Sequence, residues 1–446
     1  FPAAAFAVIA VLSVTLLVSA AVSKRDGRIL ATVLPIGVAA VSGMVGYVVA
    51  WLLSDVFVVF GVGLGSRVMS WVAAGFAIAG FAIVHIVLSR GMMRVAAAIL
   101  TVFAILAAAI GIDQSYGEYA TIGSLFGEDS YSQADLTGLA KRKDLITVAQ
   151  WRKQAANGTI RNIPANGTVN KIDIPATKSQ FEARKALVYL PPAALADSKR
   201  KPALPVVLML SGQPGSPGRV FQAGGIQTMM DGYAKTHDGL APIVIAADQL
   251  GADSHNTLCV DSKVYGNALT YLTQDVVDWV KTNLPAAQDA KDWAIAGFSQ
   301  GATCSLQIGV NHPDLFGTMI PTDSEIKPTN GSRQEMIDRF FDGDTTAYEN
   351  QVPVNAIRNH APTHQMLIIG AGEKDTTSIR NVKTIAPVAA KAGMRVAAVE
   401  SSGNAHDWHA VQDVLRYGLA VFGHDTGLDG ANPNLSDYPN LKRITI

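Results

Sequence analysis

The chain has 446 residues, no formal net charge, and charged side chains at only 16% of its positions. The mean hydropathy is positive, at +0.23, which is unusual for a soluble enzyme and indicates a membrane portion. Without a basic stripe the chain is not expected to bind nucleic acid. No Cys/His cluster has the spacing of a zinc site, so we expect neither a metal nor a cofactor.

Four uncharged apolar segments in the first 113 residues predict a bundle of four transmembrane helices. Each is close to the roughly 20 residues that a helix needs to cross a bilayer core. The third segment contains His85, which is more typical of a contact with a neighbouring helix than of an intramembrane functional group. We do not expect the first segment to be a signal peptide, because no basic region precedes it and more spans follow. Because the chain starts with Phe1 rather than methionine, we expect that residues before it are missing. The segments are 3–22, 29–54, 68–89 and 95–111.

Basic residues beside these segments predict the orientation in the membrane, because cytoplasmic loops carry the excess of Lys and Arg. The second loop has only Arg67, whereas the first and third loops carry five basic residues. Both termini, and with them the C-terminal domain, are therefore expected on the extracytoplasmic side of the cytoplasmic membrane. The five residues are Lys24, Arg25, Arg28, Arg90 and Arg94.

The rest of the chain is divided into a polar linker, 114–168, and a domain at 169–446. Within that domain, strand-like apolar runs alternate with helix-like stretches such as 271–284. This alternation predicts a mostly parallel sheet with helices on both faces. A long polar segment at 327–353 is expected to act as a lid or cap and to shape the substrate pocket.

Ser299 lies at the centre of the motif Gly-Phe-Ser-Gln-Gly, at 297–301. The motif follows the apolar run 293–298 and precedes a helix-like stretch, 302–310. A nucleophile elbow needs this order of strand, tight turn and helix, with small residues beside the serine. The alternative is a glycine-rich turn with an exposed serine.

A serine nucleophile needs a histidine as base and a carboxylate that orients the histidine. Asp375 and Glu373 both follow a buried strand-like run, and their spacing does not separate them, although Asp375 is the first choice. His406 follows the next strand-like run and is the expected base, with His409 as its competitor. The order Ser, acid, His is that of α/β-hydrolases.

Two backbone amides are candidates for the oxyanion hole, those of Gln300, directly after the serine, and Gln213, in the turn after the strand at 205–210. Pro214 has no amide hydrogen to offer. Asp323 and Glu325 follow a later strand-like run, and they are candidates for binding a cationic or polyhydroxyl head group. The alternative for these two is a solvated loop.

These motifs resemble the esterase family of α/β-hydrolases that includes esterase D, feruloyl esterases and the mycolyltransferases. Three segments carry the resemblance: Phe181–Arg184 leading into Val188–Pro192, the Ser299 motif, and Gly403–Trp408. It implies a Ser-acid-His triad, an acyl-enzyme, and attack by water or by a sugar or lipid hydroxyl. The chain departs from the family pattern at one point, because Ser211-Gly212 replaces a common His-Gly. The acid differs between branches of the family, because the mycolyltransferase branch uses a glutamate.

In such a fold the segments that carry Cys259 and Cys304 are neighbours, which makes a disulfide plausible; two unpaired buried thiols are the alternative. A disulfide agrees with a domain outside the cytoplasm. We therefore expect a membrane-anchored serine esterase that cleaves, or transfers the acyl group of, an ester of a lipid or cell-envelope component. The alternatives are a mycolyltransferase-like transfer to a carbohydrate, and a catalytically silent hydrolase domain on a partner-docking membrane module.

Overall fold

The computed structural model describes residues 2–22, 28–57, 64–119, 123, 131–140, 142–160 and 162–446. The chain divides into two compact units, Phe1–Glu118 and Tyr119–Ile446. The expected three-part division, with a separate linker at 114–168, stays a prediction.

In the described ranges the first unit contains four long helices, and the prediction of four apolar N-terminal helices is confirmed. All four are long and apolar enough to cross a membrane. His85 is buried, with its ring centroid 4.7 Å from that of Phe81. Lys24 and Arg25 lie outside the described residues, and the predicted orientation is not tested. The helices are α1 (Pro2–Val22), α2 (Arg28–Trp51, continued by a π-helical turn at Leu52–Val56), α3 (Gly65–Leu88) and α4 (Met92–Tyr116).

The second unit is built on one large sheet. Its described strands are β1 (Ser132–Gln133), β2 (Leu145–Ile146), β3 (Thr168–Ile172), β4 (Ala186–Leu190), β5 (Lys201–Pro202), β6 (Val206–Leu210), β7 (Ile243–Ala246), β8 (Asp261–Ser262), β9 (Gly266–Asn267), β10 (Trp293–Phe298), β11 (Thr318–Thr322), β12 (Met366–Gly372), β13 (Arg395–Ser401) and β14 (Leu441–Arg443). Ten of these strands form the sheet, in the order β1-β3-β4-β7-β6-β10-β11-β12-β13-β14. The remaining strands form the short pairs β2–β5 and β8–β9.

The six strands from β7 to β13 in that order are parallel, which brings their carboxyl ends to one edge of the sheet. Antiparallel pairing occurs at β3–β4, β4–β7 and β13–β14. The central strands are continuous apolar runs because both faces of a parallel sheet are covered. The prediction of a mostly parallel sheet is confirmed.

Helices cover both faces of this sheet, as predicted. Along β6, Leu208 packs into one hydrophobic core with Val280 and Leu306, while Met209 packs into the other core with Phe422. Side chains of successive strand residues point to opposite faces. The helices are α5 (Val148–Ala156), α6 (Pro192–Leu195), α7 (Pro217–Gln222), α8 (Ile226–Lys235), α9 (Ala268–Thr270), α10 (Val276–Asn283), α11 (Gln300–Asn311), α12 (Arg333–Phe340), α13 (Thr345–Glu349), α14 (Pro353–Asn359), α15 (Thr376–Lys391) and α16 (Trp408–Asp425).

The segment expected to act as a lid, 327–353, contains α12 and α13. Met336 and Phe340 of α12 are buried against Leu258 and Val260, which flank Cys259. The segment therefore packs on the loop that carries one half of the expected disulfide. Its action as a lid stays a prediction.

Candidate active site

Ser299 occupies a sharp turn between β10 and α11. Its φ of 55° and ψ of −117° are strained for a residue with a side chain, as a nucleophile elbow requires. The turn is so tight that a Cβ on Gly297 would come within 2.2 Å of the carbonyl oxygen of Gly301. The Ser299 amide donates to the carbonyl of Thr322 at 3.0 Å, which ties the turn to the end of β11.

The side chains of Ser299, His406 and Asp375 form one hydrogen-bonded chain. His406 Nε2 lies 2.8 Å from Ser299 Oγ, and His406 Nδ1 lies 2.7 Å from Asp375 Oδ2. The histidine side chain is 12% exposed and the aspartate side chain 4%. In this geometry the imidazole can take a proton from the hydroxyl while the carboxylate orients the ring.

Of the two carboxylates that the spacing left open, Asp375 and not Glu373 contacts the histidine. Asp375 is the N-cap of α15 and accepts hydrogen bonds from the Thr377 and Ser378 amides. Glu373 is turned to the surface, where it accepts from the Gly403 amide at 2.7 Å and pairs with Lys442 at 2.9 Å. Burial raises the pKa of Asp375, but hydrogen bonds from His406 and Ser378 outweigh it and hold that pKa below its usual range.

His406 is fixed by ring packing as well as by hydrogen bonds. Its ring centroid is 5.0 Å from that of Phe298, which in turn lies 5.0 Å from Trp408. Burial lowers the pKa of the imidazole, but the hydrogen bond and charge of Asp375, with the nearby acidic side chains, raise it above 6.5 overall. His409, the competing base, is the second residue of α16, and the Ser299 hydroxyl contacts His406 instead.

The two turns that carry the candidate oxyanion donors are linked by a buried glutamine that sequence reasoning missed. Gln249 Nε2 donates to the Ser211 carbonyl at 2.7 Å and to Gln300 Oε1 at 3.2 Å. It thereby links the start of the turn after β6 to the first residue of α11. The side chain of Gln213 donates to the Ser254 carbonyl at 3.3 Å. No local pattern marks Gln249, because its partners are distant in the sequence.

Arg184 supports the turn after β6. Its guanidinium donates to both carboxylate oxygens of Asp248 and, at 2.9 Å, to the carbonyl of Gly215; it also pairs with Asp253. Asp248 is fully buried. Arg184 belongs to one of the segments that carry the family resemblance, and these contacts give its side chain a structural role beside the site.

Cys259 and Cys304 form a disulfide, the pairing that the sequence predicts. It joins the loop after β7 to α11, the helix that begins directly after Ser299. Gln300 Nε2 lies 3.7 Å from the Cys259 sulfur, so the bond is next to the candidate oxyanion donor. The disulfide thus ties together two of the segments that shape the site.

Replacing both cysteines with Ala is expected to lower the free energy of unfolding of this unit by up to about 4 kcal/mol, the chain-entropy value for a 45-residue separation. Thermal unfolding of the full chain in detergent measures the change. Reductant should lower the wild-type melting temperature and leave the double variant unchanged. A wild-type protein that is indifferent to reductant would show that the bond does not form.

Asp323 and Glu325, the candidates for head-group binding, lie close to the triad. Asp323 is fully buried, and its Oδ1 accepts from the Gly372 amide at 2.9 Å, which distinguishes it from a residue of a solvated loop. Glu325 lines a small cavity with Asn256 and Gln300. Head-group binding by these residues stays a prediction.

Glu325 is expected to make the stability of the domain pH-dependent. Burial raises its pKa to about 7, although the charge of His406 and a hydrogen bond with Thr329 act in the opposite direction. Since the folded state keeps this proton from pH 4.5 to 7 while the unfolded state loses it, stability falls as the pH rises through that window. Glu325→Gln should remove this part of the decline, as measured by melting temperatures from pH 5 to 8. An unchanged slope would contradict it.

A metal ion is not favoured at this centre. One ligand atom each of Asp323, Asp375 and His406 lies within 4.8 Å of the others, the one such group found in the described ranges. Both ring nitrogens of His406 are already engaged by Ser299 and Asp375.

Three known proteins are among those to which this chain is similar. An uncharacterized protein of Corynebacterium glutamicum is 32% identical over 333 residues, which cover 73% of this chain and 74% of that protein. The S-formylglutathione hydrolase from Agrobacterium tumefaciens is 16% identical, with a TM-score of 0.48 over 60% of this chain and 99% of its own. A ferulic acid esterase from Anaeromyces mucronatus is 18% identical, with a TM-score of 0.44 over 58% of this chain and 91% of its own.

The family described as "Putative esterase" matches residues 178–418, which include Ser299, Asp375 and His406. That range is more than half of the chain, and it excludes the four apolar helices. The chain belongs to this esterase family of hydrolases.

Proposed function

We propose that the chain is a membrane-anchored serine esterase that forms an acyl-enzyme on Ser299. The observation that carries the proposal is the continuous chain of hydrogen bonds from Ser299 through His406 to Asp375, with the serine on a strained turn. In a glycine-rich turn with an incidental serine, neither the strain nor the buried partners would be expected.

In the proposed reaction, Ser299 Oγ attacks the ester carbonyl carbon while His406 Nε2 takes its proton. The amides of Gln213 and Gln300 stabilise the negative oxygen of the tetrahedral intermediate. His406 then protonates the leaving alcohol, and the acyl group remains on Ser299. Water, or the hydroxyl of an acceptor, attacks the acyl-enzyme and gives its proton to His406. The bond between Ser299 Oγ and the acyl carbon then breaks, His406 returns the proton to Oγ, and the free acid or the new ester leaves. Asp375 orients the imidazole and stabilises its positive charge throughout.

The four apolar helices support a lipid or cell-envelope ester as the substrate. They are long enough to hold the chain in a bilayer, and a tethered enzyme meets esters of that membrane at high local concentration. Basic residues are in excess in the first and third loops between the apolar segments. Together with the disulfide, this excess supports an extracytoplasmic catalytic domain. Mycolyltransferase-like transfer is the less favoured reading, since the resemblance implies a glutamate as the acid in that branch, and Glu373 lies at the surface.

Lipid profiling by mass spectrometry tests this function. Cells that lack the protein should accumulate one ester-bearing envelope lipid, and the wild-type gene should restore its level. The Ser299→Ala gene should not restore it. Equal complementation by both would overturn the proposal and favour a docking role for the membrane helices.

A further inference from the structure

A second carboxylate, Asp323, lies beside the His406–Asp375 pair without being part of the hydrogen-bonded chain. It directly follows β11 with a φ of 55°, and its side chain is fully buried. One carboxylate oxygen of Asp323, one of Asp375 and one ring nitrogen of His406 lie within 4.8 Å of one another. The serine mechanism uses only one of these two acids. Burying a carboxyl group without a full set of hydrogen bonds costs folding free energy, so the second acid needs an explanation.

The two carboxyl groups differ sharply in their hydrogen bonds. Asp375 accepts four: from the Thr377 amide at 3.1 Å, the Ser378 amide at 3.0 Å, the Ser378 hydroxyl at 2.6 Å and His406 Nδ1 at 2.7 Å. Asp323 accepts one, from the Gly372 amide, and its Oδ2 has no partner in the part of the chain that the structure describes. Hydrogen bonds to a carboxylate favour its charged form, so the negative charge belongs on Asp375.

Two carboxylates this close in a buried site do not both ionise beside a neutral histidine. The ionisable groups that act on Asp323 are His406, Asp375 and Asp407. Burial, with the negative charges of the two aspartates, raises the pKa of Asp323 well above its usual range, although His406 and the Gly372 amide act in the opposite direction. Asp323 therefore keeps its proton while Asp375 is charged.

We propose that Asp323 is a second positioning carboxylate of this site, which carries the proton while Asp375 carries the charge and which takes over the negative charge opposite His406 when Asp375 is removed. The inference rests on the proposed function, since it needs Ser299 and His406 to perform the reaction. Removing the Asp375 carboxylate removes the like charge, so Asp323 releases its proton to solvent. The space that is left admits a water molecule between Asp323 Oδ2 and His406 Nδ1.

A double-mutant cycle tests the proposal with purified full-length protein in detergent and a p-nitrophenyl ester of a short acid. Asp323→Asn keeps an oxygen for the Gly372 amide and should lower kcat/KM less than tenfold in the wild-type background. Asp375→Ala should cost about 10²-fold, because Asp323 replaces its charge. The double variant should reach about 10⁴-fold, the scale on which a serine hydrolase loses rate without its triad acid. Activity of Asp375→Ala should also rise with pH as Asp323 ionises, and this rise should be absent from the double variant.

Asp413→Asn is the matched control, because Asp413 is also buried but accepts its hydrogen bonds from Ser401, Asn404 and Asn440. Its effect should be the same factor with and without Asp375. If Asp323→Asn also costs one constant factor, Asp323 is only structural and the proposal fails. If Asp323→Asn does not fold, Asp323→Ser serves in its place, since a hydroxyl can accept from Gly372. Wild-type protein without esterase activity or fluorophosphonate labelling would instead refute the proposed function.

Discussion

Ser299→Ala is expected to lower kcat for a soluble p-nitrophenyl ester by about 10⁶-fold, the scale on which serine hydrolases lose their nucleophile. In the proposed mechanism the Ser299 oxygen becomes bonded to the acyl carbon in the acyl-enzyme, and no other hydroxyl contacts His406 Nε2 in the described ranges. The remaining rate would come from the oxyanion donors and from binding alone.

Ser305→Ala is the control for this variant, because Ser305 is also a buried serine of α11 but donates its hydroxyl to the Ala302 carbonyl at 2.8 Å. It should keep nearly full activity and the same melting temperature as the wild type. A Ser299→Ala protein with more than a tenth of the wild-type rate would show that another residue is the nucleophile.

Asp375→Asn is expected to lower kcat/KM by about 10⁴-fold, more than Asp375→Ala does. The Thr377 and Ser378 amides hold the oxygen of the new side chain, so its NH₂ group faces His406 Nδ1. A donor at Nδ1 stabilises the tautomer with the proton on Nε2, which cannot accept a proton from Ser299. Steady-state kinetics of the two variants on one ester measure the difference.

The same experiment distinguishes the two acids that the sequence left open. Glu373→Gln should change kcat/KM by no more than a few-fold, because Glu373 contacts Lys442 and the Gly403 amide at the surface. A large loss in Glu373→Gln, with a small one in Asp375→Asn, would reverse the assignment and favour the mycolyltransferase-like reading.

The wild-type pH profile should reflect the same network. Because the pKa of His406 is raised above 6.5 by its acidic neighbours despite burial, kcat/KM should fall on acidification through a pH higher than that value, as the base becomes protonated. The double variant Asp323→Asn/Asp375→Ala leaves neither carboxylate beside His406 to favour the imidazolium, so its acidic limb should lie at lower pH.

The parts of this site that sequence alone predicted are those encoded by local patterns. The order of strand, Gly-x-Ser-x-Gly and helix marks Ser299, and uncharged runs of about 20 residues mark the four helices. Sequence alone could not distinguish Asp375 from Glu373 as the acid, since both follow the same strand within three residues. What separates them is that α15 begins at Thr376, which makes Asp375 the cap and turns it inward.

Contacts between distant segments were also beyond sequence reasoning. Thr322-Asp-Ser-Glu325 is a polar segment that is typical of a solvated loop. Asp323 is nevertheless buried, and its amide donates to the Gly370 carbonyl, which ties this residue to β12. Gln249 was missed for the same reason, since its partners Ser211 and Gln300 come from two other strand ends. The meeting of strand ends at one sheet edge is predictable, but the side chains that contact each other there are not.

Mass spectrometric mapping of a fluorophosphonate adduct tests the central claim most directly. Purified wild-type protein is treated with the probe and digested, and the modified residue is identified by fragmentation. We expect one adduct, on Ser299, and its loss in His406→Ala, because the hydroxyl is activated only through Nε2. An adduct on another residue, or labelling of Ser299 that does not depend on His406, would contradict the account.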